Sequence, residues 1–139
     1  MTVSATARPT GHPGYSETLP REAASAETAR RLVRTALAAW GLEPVAEDGA
    51  LVVTELVANA VNHTRGRCIR VIVARTDGDL VRLGVVDKSC TLPALQHPTD
   101  TELGGRGLTL VDALATRWGT DLKGWGKCVW AELKAESST

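Results

Sequence analysis

CIRVIVAR, Cys68–Arg75, and DLVRLGVVD, Asp79–Asp87, decide the fold. Ile69, Val71 and Val73 alternate with their neighbours in the first, and Val81, Leu83 and Val85 do so in the second. A period of two predicts strands with one buried face. Asp77-Gly78 between them is a hairpin signal, so the pair is expected to be antiparallel. Just upstream, Val53, Leu56, Val57, Ala60 and Val61 follow the i, i+3, i+4, i+7, i+8 rule. That period predicts a helix from about Pro44 to His63 whose apolar stripe lies on the sheet.

The pattern extends in both directions. An earlier helix is expected from about Arg21 to Trp40, with Leu32, Val33, Ala36, Leu37 and Trp40 on one face and Gly41 as its stop. Arg30, Arg31 and Arg34 fall elsewhere on it and read as a solvated face. YSETLP, Tyr15–Pro20, suits a short edge strand. Downstream, Leu108, Val111, Leu114 and Ala115 predict a short helix, and TRWGTD and CVWAELK predict two strands about a turn containing Gly124 and Gly126. Between Lys88 and Leu103 there is no periodicity, and a stretch of that length is usually a lid or a binding loop. The expected class is α+β: a two-layer sandwich of a mixed, mainly antiparallel sheet with about three helices on one face.

Composition narrows the function. The 139 residues suit one domain, with residues 14–135 as its body and residues 1–13 and 136–139 as tails. Apolar residues make up 43% and charged residues 23%, ordinary values for a globular protein. Lys plus Arg and Asp plus Glu are 16 each, so no net field favours nucleic acid or an anionic membrane. No apolar run nears the roughly 20 residues of a membrane span, and the first residues lack a secretory signal, so a cytoplasmic location is expected. Cys68, Cys90 and Cys128 lack CxxC spacing and suggest neither a disulfide framework nor a zinc site.

Chemistry concentrates in three segments. In ELVANAVNH, Glu55–His63, the residues Glu55, Asn59, Asn62 and His63 stand at i, i+4, i+7 and i+8, opposite the apolar stripe. Asparagine is a poor helix former, and two of them on a face usually given to Lys, Arg, Glu or Gln favour a functional role. Glu55 could polarise a hydroxyl or water, and Asn59 offers a neutral amide oxygen to Mg²⁺. His63 reads more readily as a hydrogen-bonding helix-end residue than as a catalyst. Asp87 closes its strand, where a lone Asp is usually a turn former but can also accept from an exocyclic amino group. Gly104, Gly105 and Gly107 precede a helix, so backbone N–H groups there can meet an anion without Cβ interference. Arg106 could touch phosphate or solvent. Neither the P-loop nor the dinucleotide pattern is present.

Together these segments resemble the ATP-binding domain shared by DNA gyrase and histidine kinases, the GHKL or Bergerat-fold superfamily. ELVANAVNH is similar to its N-box, VVDKS to its first glycine box and GGRGLTLVDALA to its second. Over roughly residues 15 to 134 the likeness is greatest to stand-alone bacterial anti-sigma-factor-type serine/threonine kinases of the actinobacterial branch. The resemblance implies ATP and Mg²⁺ as cofactors, held between the N-box helix and a lid. It implies Glu55 as base, Asn59 as magnesium ligand and Asp87 as adenine reader. Asn62, Ser89, Gly104, Gly105, Arg106, Gly107 and Leu108 would complete the nucleotide contacts. Implied partners are a sigma factor or an anti-anti-sigma antagonist, with phosphorylation of that antagonist as the activity. An ATP-dependent binding module without phosphotransfer is the alternative, and a homodimer would also be compatible. A histidine kinase proper is not expected, because His12, His63 and His97 lack the setting of a phosphoacceptor. Two departures stand out. Asp87-Lys88-Ser89-Cys90-Thr91 lacks the glycines of the family's first box, and Cys128 stands where the family often has a Thr near the base.

Overall fold

A computed structural model describes residues 3–7, 13–63, 66–87, 108–124 and 126–135. The elements in chain order are β1 Val3–Ala7, β2 Pro13–Pro20, α1 Ser25–Ala39, a 3₁₀ turn Glu43–Val45, α2 Ala46–His63, β3 Cys68–Asp77, β4 Leu80–Asp87, α3 Thr109–Leu114, β5 Arg117–Lys123 and β6 Gly126–Lys134. The strands form one six-stranded sheet in the order β1-β2-β3-β4-β6-β5. Every pairing among the described residues is antiparallel, where the sequence reading expected a mixed sheet.

The period-two residues do what their alternation requires. Tyr15, Val73, Leu83 and Ala131 lie in register across β2, β3, β4 and β6. A second row runs Glu17, Val71, Val85, Val129, and a third Leu19, Ile69, Asp87, Lys127. The aliphatic members of these rows are buried in a single core with Leu32, Val33 and Leu37 of α1 and Val53, Leu56 and Val57 of α2. The result is the α+β sandwich read from the sequence, with the helices on one face.

Local chemistry sets the element ends. After α1, Gly41 adopts φ +71°, while Gly41 N donates to Ala38 O and Leu42 N to Leu37 O. This is the Schellman arrangement, and glycine fits it because it has no Cβ. At its start α1 is shorter than expected. Residues 21–24 form bends and turns, and Ser25 Oγ donates to Pro20 O at 2.6 Å. The β3–β4 turn comprises Gly78 and Asp79, one residue later than Asp77-Gly78, with a register shift between Arg75 and Asp77. β1 lies in the segment read as a tail: Val3 to Ala7 pair with Glu17 to Pro13. Free backbone groups on the edge of β2 can recruit even a weakly patterned segment.

The arginines of α1 are not simply solvated. Arg34 makes two 3.1 Å bonds to the Glu47 carboxylate of α2, and Arg30 donates to Thr54 Oγ1 at 3.1 Å. Arg31 faces Glu27 at 3.9 Å in an exposed i,i+4 pair. On the outer sheet face, Trp130 lies beneath the Arg82 guanidinium, 4.0 Å from its ring centroid. Glu132, buried beside it, accepts from both Arg82 and Arg117. No helix of the described residues is long and apolar enough to cross a membrane.

Candidate functional site

The apolar stripe of α2 fixes where its polar flank goes. Val52, Val53, Leu56, Val57 and Ala60 are buried, which turns Glu55 and Asn59, one turn apart, into a half-buried flank. Asn62 and His63 are exposed. Two contacts set the course of the helix. Gly49 is packed so that a Cβ there would lie 3.0 Å from Val33 Cγ1 and 3.8 Å from Leu83 Cδ1, which puts the first turns of α2 over the middle of β4. At the other end, the Arg21 guanidinium donates to Val61 O at 2.9 Å and to Gly66 O. Arg21 directly follows β2, whose Leu19 shares a register row with Ile69 and Asp87. The C-terminal half of α2, with Asn59, is thereby held toward the sheet end that Asp87 closes.

Asp87 is only 1% exposed. Its position on the helix-facing side follows from the parity of Val81, Leu83 and Val85, all of them buried. Beside it in register is Lys127, 8% exposed. A carboxylate and an ammonium group therefore end the otherwise aliphatic helix-facing positions of β4 and β6. Leu108, 8% exposed, immediately precedes α3, and Val111 of that helix is fully buried.

Structure and sequence reading differ at Cys128. The resemblance placed it near the base, but β6 alternates, and Val129, Ala131 and Leu133 face the helices. Cys128 therefore points to the outer face, where its Sγ would lie 3.2 Å from a Cβ built on Gly84. The residue on the helix-facing side of that strand end is Lys127, which the sequence reading passed over. Continuing the Val129–Ala131–Leu133 alternation one step backwards was the available signal. Arg21 was missed for another reason: it was absorbed into the first helix, whereas it serves as the tie for the end of the second. Ser89, Gly104, Gly105, Arg106, Gly107 and the expected lid over Lys88 to Leu103 lie outside the described residues.

Chemically, the described groups comprise a buried carboxylate that can accept from an amino group, an amide oxygen suited to a hard cation, and a second, half-buried carboxylate able to take a proton. The comparisons with known proteins bear on the fold and on ATP binding. The sequence profile of the histidine kinase-like ATPase domain matches residues 19–133. No curated protein sequence matches. Among solved structures, the histidine kinase domain of the blue-light activated histidine kinase EL346 from Erythrobacter litoralis is similar, with a TM-score of 0.52 and 19% identity. The match covers 84% of this chain and 61% of that one, so the chain spans less than two thirds of its structural neighbour. At that identity the likeness speaks for the fold, while the profile supports ATP binding. The chain belongs to the histidine kinase-like ATPase domain family.

Proposed function

We propose that this domain is a cytoplasmic regulatory protein kinase of the anti-sigma type. It would phosphorylate a serine or threonine of a small antagonist protein and also bind a sigma factor. The observation that carries the reading is the placement of Glu55 and Asn59 on one half-buried flank of α2, held toward the sheet end closed by buried Asp87. When bound, Mg-ATP supplies the phosphoryl group and the metal charge that offsets its oxygens.

The residues divide the work. Asp87 accepts a hydrogen bond from the exocyclic amino group, and its burial makes a base that presents an acceptor there costly to bind. Asn59 is the magnesium ligand. The described residues contain no cluster of three His, Cys, Asp or Glu side chains suited to a metal. An ion held by Asn59 would take most of its other ligands from phosphate and water, the usual habit of magnesium. Glu55 takes the proton of the incoming hydroxyl, help typically worth about 10²–10⁴ in rate. Asn62, Ser89 and the stretch Gly104, Gly105, Arg106, Gly107, Leu108 complete the nucleotide contacts.

The test is transfer from labelled ATP to candidate antagonists. Glu55→Ala is expected to keep ATP binding while transfer falls to background. Transfer that survives the substitution would remove Glu55 from its role. ATP binding with no transfer by the intact protein would favour a second reading, to which the glycine-free Asp87-Lys88-Ser89-Cys90-Thr91 stretch lends support. In that case nucleotide controls partner affinity without chemistry, through different affinities in two conformations.

A further inference from the structure

The helix-facing positions of β4 and β6 are aliphatic until the last, where Asp87 and Lys127 stand in register on neighbouring strands. Lysine is rarely found in such a position, because its ammonium group is strongly hydrated and its burial is tolerated mainly with a partner. Lys127 is 8% exposed and makes no ion pair with the described residues. Its strand neighbour on the other side is Leu122 of β5, which offers no acceptor in its side chain.

We infer that Lys127 is a specificity-determining residue of the nucleotide site. Its ammonium donates to ring nitrogen N1 of adenine, next to the amino group from which Asp87 accepts. The inference rests on the ATP-binding reading above. The chemistry of the two side chains is complementary to that edge in order and in kind. A carboxylate only accepts and an ammonium only donates. Adenine presents an amino donor and, beside it, an unprotonated ring nitrogen. Guanine in the same pose would turn O6 toward the carboxylate and N1–H toward the ammonium, so both contacts would be mismatched rather than one. Such double mismatching in a buried site discriminates more strongly than shape alone. Asp87 alone would leave the N1 position unread.

The test is equilibrium binding of Mg-ATP and of its 1-deaza analogue, in which N1 is replaced by C–H, to the intact protein, Lys127→Met and Lys127→Arg. Methionine keeps the unbranched apolar stem, and thermal melts confirm that each variant folds. For the intact protein, the analogue is expected to bind roughly 10- to 100-fold more weakly than ATP, the range for a hydrogen bond from a charged donor. In Lys127→Met, ATP is expected to weaken by a similar factor and to bind no better than the analogue, while Lys127→Arg regains part of the preference. If the intact protein binds ATP but does not distinguish the analogue, or if Lys127→Met keeps the distinction, the lysine assignment is overturned and the ATP reading stands. If the intact protein binds neither, both are overturned.

Discussion

Glu55 and Asn59 are four residues apart on one flank of α2, yet their loss should read out differently. Asn59→Ala is expected to weaken ATP binding in the presence of magnesium by about tenfold or more, and to change it little with magnesium chelated. Titration calorimetry with and without the metal checks this; an equal loss in both conditions would contradict the ligand role. Elsewhere, single residues act through conformation. Gly41 has φ +71°, and nothing lies within 4 Å of a Cβ built there. Gly41→Ala is therefore resisted by backbone sterics and not by crowding. A cost of about 1–2 kcal/mol is expected, visible as a lower denaturation midpoint with unchanged slope.

At the scale of elements, strands and helices with clean periodicity were legible from the residues alone. The Val81–Leu83–Val85 and Ile69–Val71–Val73 alternations yield β3 and β4, and the Val53–Ala60 stripe yields α2. What escaped is instructive. β1 has little apolar pattern and owes its place to the pairing edge of β2, a tertiary effect. Arg21 lies outside α1 because its guanidinium is used on the carbonyls of Val61 and Gly66. The facing of Cys128 and Lys127 follows from strand register, which a motif alignment does not encode. Motifs point to Glu55, Asn59 and Asp87, whereas Lys127, beside Asp87 in register, is reached only by extending the β6 alternation backwards. The outer-face packing was equally hidden. A Cβ on Gly119 would lie 3.0 Å from Trp130 Cζ2 and 3.3 Å from its Cε2, against a ring flanked by Arg82 and Arg117. Gly119→Ala is expected to destabilise by about 1–3 kcal/mol, the usual range for overpacking. Gly124→Ala, with nothing within 4 Å, serves as the control in the same thermal melts.

For the whole molecule, the outer sheet face couples stability to pH. Burial pushes the Glu132 carboxyl up, but hydrogen bonds from Arg117 and Arg82 and the charges of the two guanidinium groups outweigh it and hold the group below its ordinary value. In the unfolded chain it returns to about 4.3. The contribution is therefore complete above that value and is lost as pH falls through the lower folded one. Arg117 is 65% exposed, so screening limits the size of the effect. Melting temperature is expected to drop between about pH 5 and pH 3, and Glu132→Gln should lower it at neutral pH and flatten that acid limb. An unchanged acid limb in the variant would assign the loss to other carboxylates.

Every site assignment depends on a purine nucleotide lying at the sheet end where β4 finishes. The sharpest test of that placement is calorimetric titration of Mg-ATP into the intact protein and into Asp87→Asn. Saturable binding by the intact protein is expected, with a loss of at least roughly tenfold in the variant, since the amide would replace an acceptor-only group facing the amino edge. Binding of equal strength in both proteins, or none in the intact one, would contradict it.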